Sequence, residues 1–476
     1  MAYSVVKNTS FMTTASVLQK LVSFVYFTII ARTIGVANTG SYFFAIAFTT
    51  IFVVIADFGL GPVLTREAAK NNTPGEKYLQ TAFWGKFWFG LITYILVVLA
   101  VNLLNYPLEL KILIYLSGVT MFFDNLHASF YGVLRAVRNL RYEAVGIVAA
   151  QATTLIIGSV ALILKAPLYW LILAYTIPSF LNVLYSYACM RHELKWRIGW
   201  RWDFKLLKWF IGLSWPFAMA AIIGRFYSYS DSLMMSKLLT PVELGLWSVP
   251  YKIVFAFQFV PVALVAGLYP EMSNIYSVEP NRVGDLFVKA WRYLFIIVFP
   301  LALFLMILAA PVLKMFFGPA YLPAVPAFEI LLISLIFGYL GFVTAATLNA
   351  IGHQRLQTLL MTLALVANLI INIIFLKTLG IHGAALAALS GNIVLCLGGL
   401  IFVARYIKLP FGQLFKALVL TLVPAVITAI LARFLTVTVN IYFGVIISGL
   451  VYLAGLFAIG VLQFDLLKKY WRKIFV

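Results

Sequence analysis

The stretch FAMAAIIGRFYSYSDSLMMSK, Phe217 to Lys237, is apolar enough to lie in a bilayer, yet it contains two ionisable residues, Arg225 and Asp231. A charged side chain at bilayer depth costs roughly 2.5–3.5 kcal/mol on insertion scales, so such residues usually serve a function. The chain has the same layout 205 positions earlier, where Lys20 corresponds to Arg225. The sequence therefore predicts two repeats, each with a cation inside an apolar helix.

The composition is that of a membrane protein. Hydrophobic residues make up 63% of the chain and charged residues 11%, against roughly 25% charged residues in soluble proteins. Apolar runs of about 20 residues recur throughout, whereas a transmembrane barrel would show alternating segments of about 10 residues. We therefore expect an all-α polytopic membrane protein. Cys189 and Cys396 both lie in predicted helices, which indicates no disulfide framework.

About 14 spans are predicted from these runs. They centre on residues 12–33, 40–60, 82–104, 111–133, 144–165, 168–190, 209–233, 244–268, 289–316, 324–349, 356–377, 381–404, 415–434 and 441–462. The termini and the even-numbered connections hold 24 of the 35 Lys and Arg residues, and the other connections hold seven. The positive-inside rule therefore places both termini in the cytoplasm.

The 205-residue offset covers six predicted spans, so two six-helix lobes of equal topology are expected, residues 1–203 and 204–406. Residues 407–476 would add two spans and a basic cytoplasmic tail. Both lobes start in the cytoplasm, which implies a pseudo-two-fold axis along the membrane normal, with a substrate site between the lobes. Further pairs at this offset are Arg32 with Lys237, Gly40 with Gly245, and Tyr42 with Trp247.

Hydroxyl residues accompany the two repeat-related cations. Ser16 is four residues from Lys20, and Ser228 is three residues from Arg225, so each pair shares a helix face. Such faces favour a cationic cavity that binds an anionic headgroup. Lys252 in the eighth span is a further candidate for lining this cavity. The alternative is a set of cations buried for packing, or reaching along the helix to the interface.

Candidate coupling or gating residues lie elsewhere in the first lobe. Asp57 begins the motif DFGLGP at the cytoplasmic end of the second span, where it could pair with Arg66 and lock the helix end. Asp124 and His127 are three residues apart at mid-depth in the fourth span, where both can carry a proton. A satisfied polar cluster between helices is the alternative. Asp231 is a further candidate, although roughly 240° of helix separates it from Arg225.

Two polar features are explained by the membrane interface and not by a functional site. The basic, Trp-rich segment Arg191 to Lys208 suits a helix at the anionic inner-leaflet interface better than a nucleic-acid site. Lys86, near the cytoplasmic start of the third span, could extend its ammonium to the interface.

No Gly-rich phosphate loop or Cys/His metal spacing is present, and every outer connection is short. We therefore expect neither an enzyme nor a metal site.

The segments RTIGVANTGSYFFAIAF, Arg32 to Phe48, and IADFGLGPVLTREAAK, Ile55 to Lys70, resemble the opening of Wzx-like oligosaccharide flippases. These belong to the MOP superfamily, which also includes MATE drug antiporters and MurJ-type lipid II flippases. The resemblance implies two six-helix bundles in a V around a cationic cavity, which Lys20 and Arg225 could supply here. The two additional C-terminal helices look like those that shape a lipid-tail groove in lipid-flipping members.

The resemblance also implies a function. The protein would move an undecaprenyl-pyrophosphate-linked oligosaccharide across the cytoplasmic membrane by alternating access, for surface polysaccharide synthesis. Its partners would be this substrate, membrane lipids and other glycan-assembly proteins, without nucleic acid, and the working unit would be a monomer. No cofactor is expected beyond a coupling ion, H⁺ or Na⁺. The alternatives are a MATE-type cation-coupled multidrug exporter, a lipid II flippase, and a membrane glycosyltransferase or ligase.

Overall fold

The computed structural model describes residues 5–70, 75–200, 203–280, 282–438 and 441–458. These residues form helices and connections, with no strand in the ranges given. The helices are α1 Val5–Asp57, α2 Leu60–Ala68, α3 Gly75–Leu103, α4 Leu108–Ala136, α5 Arg141–Ile163, α6 Tyr169–Leu194, α7 Phe204–Leu238, α8 Pro241–Phe257, α9 Phe259–Val278, α10 Arg282–Ile307, α11 Ala309–Phe317, α12 Val325–Ala350, α13 Gln354–Leu379, α14 Ile381–Ile393, α15 Gly399–Tyr406, α16 Phe411–Thr438 and α17 Ile441–Ala458. A 3₁₀ turn, Pro319–Ala324, precedes α12, and a π-helical turn, Val394–Gly398, joins α14 to α15.

The chain is an all-α multi-pass membrane protein. Within the described residues, 10 helical segments are long and apolar enough to cross a membrane, or 11 if the bent pair within α7 is one span. The 29-residue helix α4 is not among them, and it carries Asp124, Asn125 and His127. The number of 14 spans stays a prediction.

The first two predicted spans form one long helix, α1, which bends at Gly35. Gly35 has φ 79° and ψ 169°, a backbone conformation that residues with a Cβ avoid. Gly35 therefore allows the chain to bend between the two predicted spans without a loop. The second break follows Asp57, where Phe58 and Gly59 both have positive φ before α2 begins.

Two compact units divide the chain, Met1–Ser248 and Val249–Val476. In the described part of the first unit, α4 packs against α3 and α6, while α1 packs against α5 and α7. In the second unit, α12 packs against α9, α10 and α14, and α16 packs against α10 and α17. The lobe boundaries at residues 203 and 406 rest on the sequence repeat and stay a prediction.

Two glycines at the 205-residue offset pack against each other within the first unit. A Cβ on Gly40 would collide with the carbonyl oxygen of Pro241, and a Cβ on Gly245 would collide with that of Val36. Residues 36 and 241 are themselves 205 positions apart, so the contact is reciprocal, as in a two-fold interface. Tyr42 and Trp247, the next repeat-related pair, are both fully buried. The repeat in the sequence is thus a local pseudo-two-fold in the structure.

The prediction of an interfacial helix over Arg191 to Lys208 is wrong for its middle part. Helix α6 ends at Leu194, Lys195 has a φ of 57°, and residues 195–200 are not helical. Their backbone polar groups bond to side chains on α3 instead. Trp84 donates to the carbonyl of Gly199 at 2.8 Å, and Glu76 accepts the N–H of Arg197 at 3.0 Å. These side chains on α3 take hydrogen bonds that backbone groups of residues 195–200 would otherwise form within a helix.

The start of α7 is capped by Asp203, which accepts from the N–H groups of Lys205 and Leu206. Its other oxygen lies 2.7 Å from the ammonium of Lys77 on α3. The hydrogen bond from Lys77, followed by the one from the Leu206 N–H, holds the pKa of Asp203 below its usual value. This carboxylate therefore joins the beginnings of two helices.

Candidate functional site

Lys20 and Arg225 lie on α1 and α7, two helices of the same unit that pack against each other. Lys20 is exposed on this unit, and Arg225 is half-buried. Arg225 makes no ion pair with any acidic residue in the part of the chain that the structure describes. Its positive charge therefore remains available to an anionic ligand.

Contacts of α1 with α7 and with the start of α8 set the depth of the two cations. Gly40 on α1 meets the backbone near Gly245 on α8, which begins directly after α7, and Tyr229 on α7 forms a hydrogen bond with Thr50 on α1. Lys20 precedes the bend at Gly35 by about 22 Å of helix at 1.5 Å per residue. Arg225 precedes the end of α7 by about 20 Å on the same scale. Because these helix ends are neighbours, both cations lie at similar depth.

The hydroxyl residues predicted beside the cations have local roles. The Ser228 hydroxyl donates to the carbonyl of Gly224 at 2.9 Å, one helical turn earlier, and Ser16 is half-buried on α1. Lys252 lies on α8 in the second unit and is half-buried. The structure thus places Lys20, Arg225 and their serines in one unit and Lys252 in the other.

Asp231 lies on α7 but away from Arg225. Its side chain is buried and acts electrostatically on Tyr227. Six residues of regular helix turn the two side chains to different faces, as helix geometry predicts. Any role of Asp231 in gating stays a prediction.

The predicted pairing of Asp57 with Arg66 is wrong. Asp57 instead lies 2.5 Å from the ammonium of Lys86 on α3, and the Lys86 side chain is fully buried. A Cβ on Gly61 would lie 3.1 Å from the Asp57 carboxylate and 3.3 Å from the Lys86 ammonium, so this glycine leaves room for the pair. Asn125 on α4 closes the cluster. Asp57 does lock its helix end, but to a different helix.

The burial of Lys86 also corrects the expectation that its ammonium reaches the interface. A lysine with an apolar stem near a helix end extends to water when no acid is within reach. Here the Asn125 amide donates to the backbone carbonyls of Ala56 at 3.0 Å and of Lys86 at 3.1 Å. That bridge draws α1 and α3 together, which brings the acid to the lysine. The 29-residue separation hid this pair from sequence reasoning.

Arg66 pairs with its neighbour Glu67, at 2.9 Å, and Lys70 contacts the other oxygen of Glu67 at 2.5 Å. Burial acts to raise the pKa of Glu67, but the hydrogen bonds from Lys70 and Arg66 outweigh it and hold this pKa below its usual value. The three residues form a charge cluster at the end of the short helix α2, which explains why Arg66 is not free to reach Asp57.

The fourth-span candidates do come together. His127 Nε2 lies 3.2 Å from Asp124 Oδ1, and the imidazole packs edge-on to Tyr131 at 5.4 Å between ring centroids. Asp124 is about half exposed, whereas His127 is largely buried. Sequence reasoning missed the residue that completes this group, Glu143 on α5.

Glu143 is buried and lies 3.4 Å from Arg135 Nε, and His127 also acts on it electrostatically. The described residues contain no cluster of three or more His, Cys, Asp or Glu side chains with metal-binding geometry.

Comparison with known proteins identifies the family. The family described as "Polysaccharide biosynthesis protein" matches residues 5–276. The chain is 26% identical over 207 residues to "Uncharacterized membrane protein MJ1068" of Methanocaldococcus jannaschii, covering 43% of this chain and 40% of that protein. It is 21% identical over 208 residues to the "Putative O-antigen transporter" of Shigella flexneri, covering 44% and 49%. The match thus spans about half the length of these two relatives or less.

A longer match is to the "Probable low-salt glycan biosynthesis flippase Agl15" of Haloferax volcanii, at 21% identity over 372 residues and 76% of each chain. Among solved structures, the lipid II flippase MurJ in an inward closed conformation has a TM-score of 0.75 at 18% identity, covering 93% of this chain and 97% of MurJ. An inward-facing MATE multidrug transporter of the MOP superfamily has a TM-score of 0.68 at 14% identity, covering 84% and 96%. The fold is therefore that of the MOP superfamily.

Proposed function

This chain belongs to the family of polysaccharide biosynthesis proteins, and on that premise we propose that it is a flippase for a lipid-linked oligosaccharide. Its substrate is an oligosaccharide carried on undecaprenyl pyrophosphate, which it moves across the cytoplasmic membrane for surface glycan assembly. The names of the O-antigen transporter and of the glycan flippase among its relatives support this proposal.

The observation that carries the proposal is the placement of Lys20 and Arg225. Two cations at similar depth, on two helices of one unit, suit a ligand with two neighbouring negative charges. A pyrophosphate is such a ligand, and Arg binds its oxygens through a planar fork while Lys acts as a point charge. Arg225 has no acidic partner among the described residues, which leaves its charge for the substrate.

The chemistry of the substrate explains the rest of the cycle. The polyprenyl tail is apolar and stays in the lipid, so only the headgroup needs a polar route. Access to the cations alternates between the two sides of the membrane, as in other transporters with repeated bundles. Both termini lie in the cytoplasm, in keeping with the bias of Lys and Arg in the connections. The protein works as a monomer and catalyses no bond change.

The test is transport in proteoliposomes with a fluorescent undecaprenyl-pyrophosphate oligosaccharide, followed by quenching of the label exposed on the outside. We expect Lys20→Ala and Arg225→Ala each to slow flipping at least tenfold, since losing one charged contact to a phosphate removes about 1.5–3 kcal/mol. Lys377→Ala removes an exposed cation at the end of α13 and is the matched control.

Flipping at the wild-type rate by both variants, at equal reconstituted amounts, would contradict the assignment of these cations. A wild-type protein that exports a labelled cationic drug but leaves the lipid-linked glycan in place would contradict the flippase proposal itself.

A further inference from the structure

Helix α4 carries one polar stripe along its whole inner half. Its members, spaced three or four residues apart on one helix face, are Thr120, Asp124, His127, Tyr131 and Arg135. Each end of the stripe is tied to a neighbouring helix. The Thr120 hydroxyl shares a hydrogen bond with Thr176 on α6 at 2.7 Å. The stripe therefore spans about 22 Å of helix at 1.5 Å per residue.

The hydrogen bonds of His127 decide which of its nitrogens can take up a proton. Its Nε2 lies 3.2 Å from the carboxylate of Asp124, so in the neutral ring Nε2 carries the hydrogen and donates it. The lone pair is then on Nδ1. This atom is buried and has no hydrogen-bond partner in the described part of the protein. A buried basic nitrogen without a donor is unusual, because burial without a partner costs free energy.

The carboxylate of Glu143 on α5 is buried, and the charge of His127 acts on it electrostatically. Its Oε2 is 3.4 Å from Arg135 Nε but receives no hydrogen bond. The Arg135 Nε–H points instead at the carbonyl of Tyr131, also at 3.4 Å. Glu143 is therefore only partly neutralised in the conformation observed.

The charges of the group favour a proton. With neutral His127, Asp124 and Glu143 contribute two negative charges and Arg135 one positive charge, so the group carries a net charge of −1. A proton on Nδ1 brings it to zero, which lowers the cost of keeping it inside the membrane.

Charged and titratable groups on the other helices packed against α4 have partners of their own. Asp57 on α1 pairs with Lys86 on α3, and Glu67 on α2 pairs with Arg66 and Lys70. From α6, Tyr185 and Cys189 act on Tyr131 and bond to each other. The uptake of one proton is thus left to His127 and its two carboxylates.

We propose that His127, paired with Asp124 on α4, is the proton-binding site that couples transport to a proton gradient. The half-exposed Asp124 accepts the Nε2–H, so the proton is taken up on the other ring nitrogen, Nδ1, and the positive charge of the imidazolium then acts on the buried Glu143. The proton adds to Nδ1 and leaves from it unchanged, with no other bond made or broken. This inference rests on the proposed flippase function and names its coupling ion.

The test measures substrate distribution across proteoliposomes at steady state, with and without an imposed pH difference and with the membrane potential clamped to zero. One proton coupled to one substrate changes the distribution ratio tenfold for each pH unit. We expect that tenfold shift for the wild type and a ratio near one for His127→Gln and Glu143→Gln. Exchange of substrate without a gradient continues in both variants. His192→Gln, an exposed histidine at the end of α6, keeps the full shift.

A second measurement does not need the substrate. Nitrogen-15 NMR of protein labelled at its four histidines resolves the signal that His127→Gln removes. We expect acidification to move that signal as Nδ1 takes up the proton, and Glu143→Gln to change this response.

Three outcomes would overturn the coupling site: a His127 signal that never titrates, a wild-type ratio that ignores the pH difference, or variants that respond as the wild type does. Failure of the flippase proposal looks different, since then the wild type moves no lipid-linked glycan under any gradient, while the titration still reports on the site.

Discussion

Gly40 and Gly245 pack against each other through their backbones, and each is the other's counterpart in the 205-residue repeat. A Cβ on Gly40 would lie 2.6 Å from the backbone nitrogen of Gly245 and closer still to the Pro241 carbonyl. In a bilayer, no hydrophobic driving force brings helices together, so they associate through close packing at small residues. Such close approach also lets Cα–H groups contact backbone carbonyls of the neighbouring helix. Equivalent positions of the two repeats therefore contact each other here.

Gly40→Ala and Gly245→Ala should each destabilise the protein by about 1–3 kcal/mol, because either methyl group forces two backbones apart. The double variant should cost less than the sum of the single ones, since one separation relieves both collisions. Unfolding midpoints in detergent measure these effects.

Gly212 on α7 is the matched control for these substitutions, because a Cβ there meets nothing within 4 Å. Gly212→Ala should stabilise the protein by roughly 0.5–1 kcal/mol through helix propensity alone. Equal midpoints for all three alanine variants would refute the reciprocal contact.

Lys86→Met should destabilise the first unit by about 3 kcal/mol, because it leaves the Asp57 carboxylate partly buried without its cation. Replacing both residues, with Lys86→Met and Asp57→Leu, should recover most of that loss, since the two desolvation costs disappear together. Chemical denaturation of the purified protein gives both values. Arg66→Ala, which leaves the Asp57–Lys86 pair intact, should change stability by less than about 1 kcal/mol. A loss of stability as large as that of Lys86→Met would indicate that Asp57 pairs with Arg66.

Trp84→Phe should loosen the segment of residues 195–200. It removes the indole donor to Gly199 and weakens the stack with Trp200, whose ring centroid lies 4.7 Å away. A hydrogen bond of about 0.5–1.5 kcal/mol corresponds to a roughly two- to tenfold higher opening equilibrium. Trypsin cleavage after Lys195 and Arg197 should accelerate by that factor. Trp88→Phe changes an exposed indole on the same helix and should leave the cleavage rate unaltered.

Asp203 should make stability depend on acid. Its pKa is lower in the folded protein than in the unfolded chain, so its contribution is complete above the unfolded value of about 3.9 and is lost as pH falls below it. Asp203→Asn keeps a capping side chain but no charge. The gap in unfolding midpoint between wild type and variant should be constant above about pH 5 and narrow as the pH falls below about 3.9. A gap that does not narrow as the pH falls would show that the charge contributes nothing.

Lys20 and Arg225 should behave as one binding unit in kinetics. If both contact the same pyrophosphate, the double variant Lys20→Ala with Arg225→Ala should flip little more slowly than either single variant, so the coupling energy exceeds about 1 kcal/mol. Conservative exchange, Lys20→Arg and Arg225→Lys, should restore part of the rate because the charge remains. Strict additivity of the two losses would mean that they act on separate steps.

Much of the fold was predictable because hydrophobicity in a bilayer depends on residues near one another in the chain. Apolar runs are a local pattern, and they correctly predicted an all-α membrane protein, whereas the cytoplasmic position of both termini, inferred from the bias of Lys and Arg, stays a prediction. The i, i+3 spacing of Asp124 and His127 likewise predicted their contact, because both residues lie on one helix.

Partners across helices could not be read in this way. Asp57 had Arg66 nine positions away, yet the buried Lys86 takes its charge because Asn125 and Gly61 bring α1 and α3 together. Glu143 pairs with Arg135 only because α5 packs beside α4. The sequence by itself determined which helices form and which residues carry charge into the membrane. Only the tertiary structure decided how those charges pair, because the Coulomb energy depends on distances that helix packing sets.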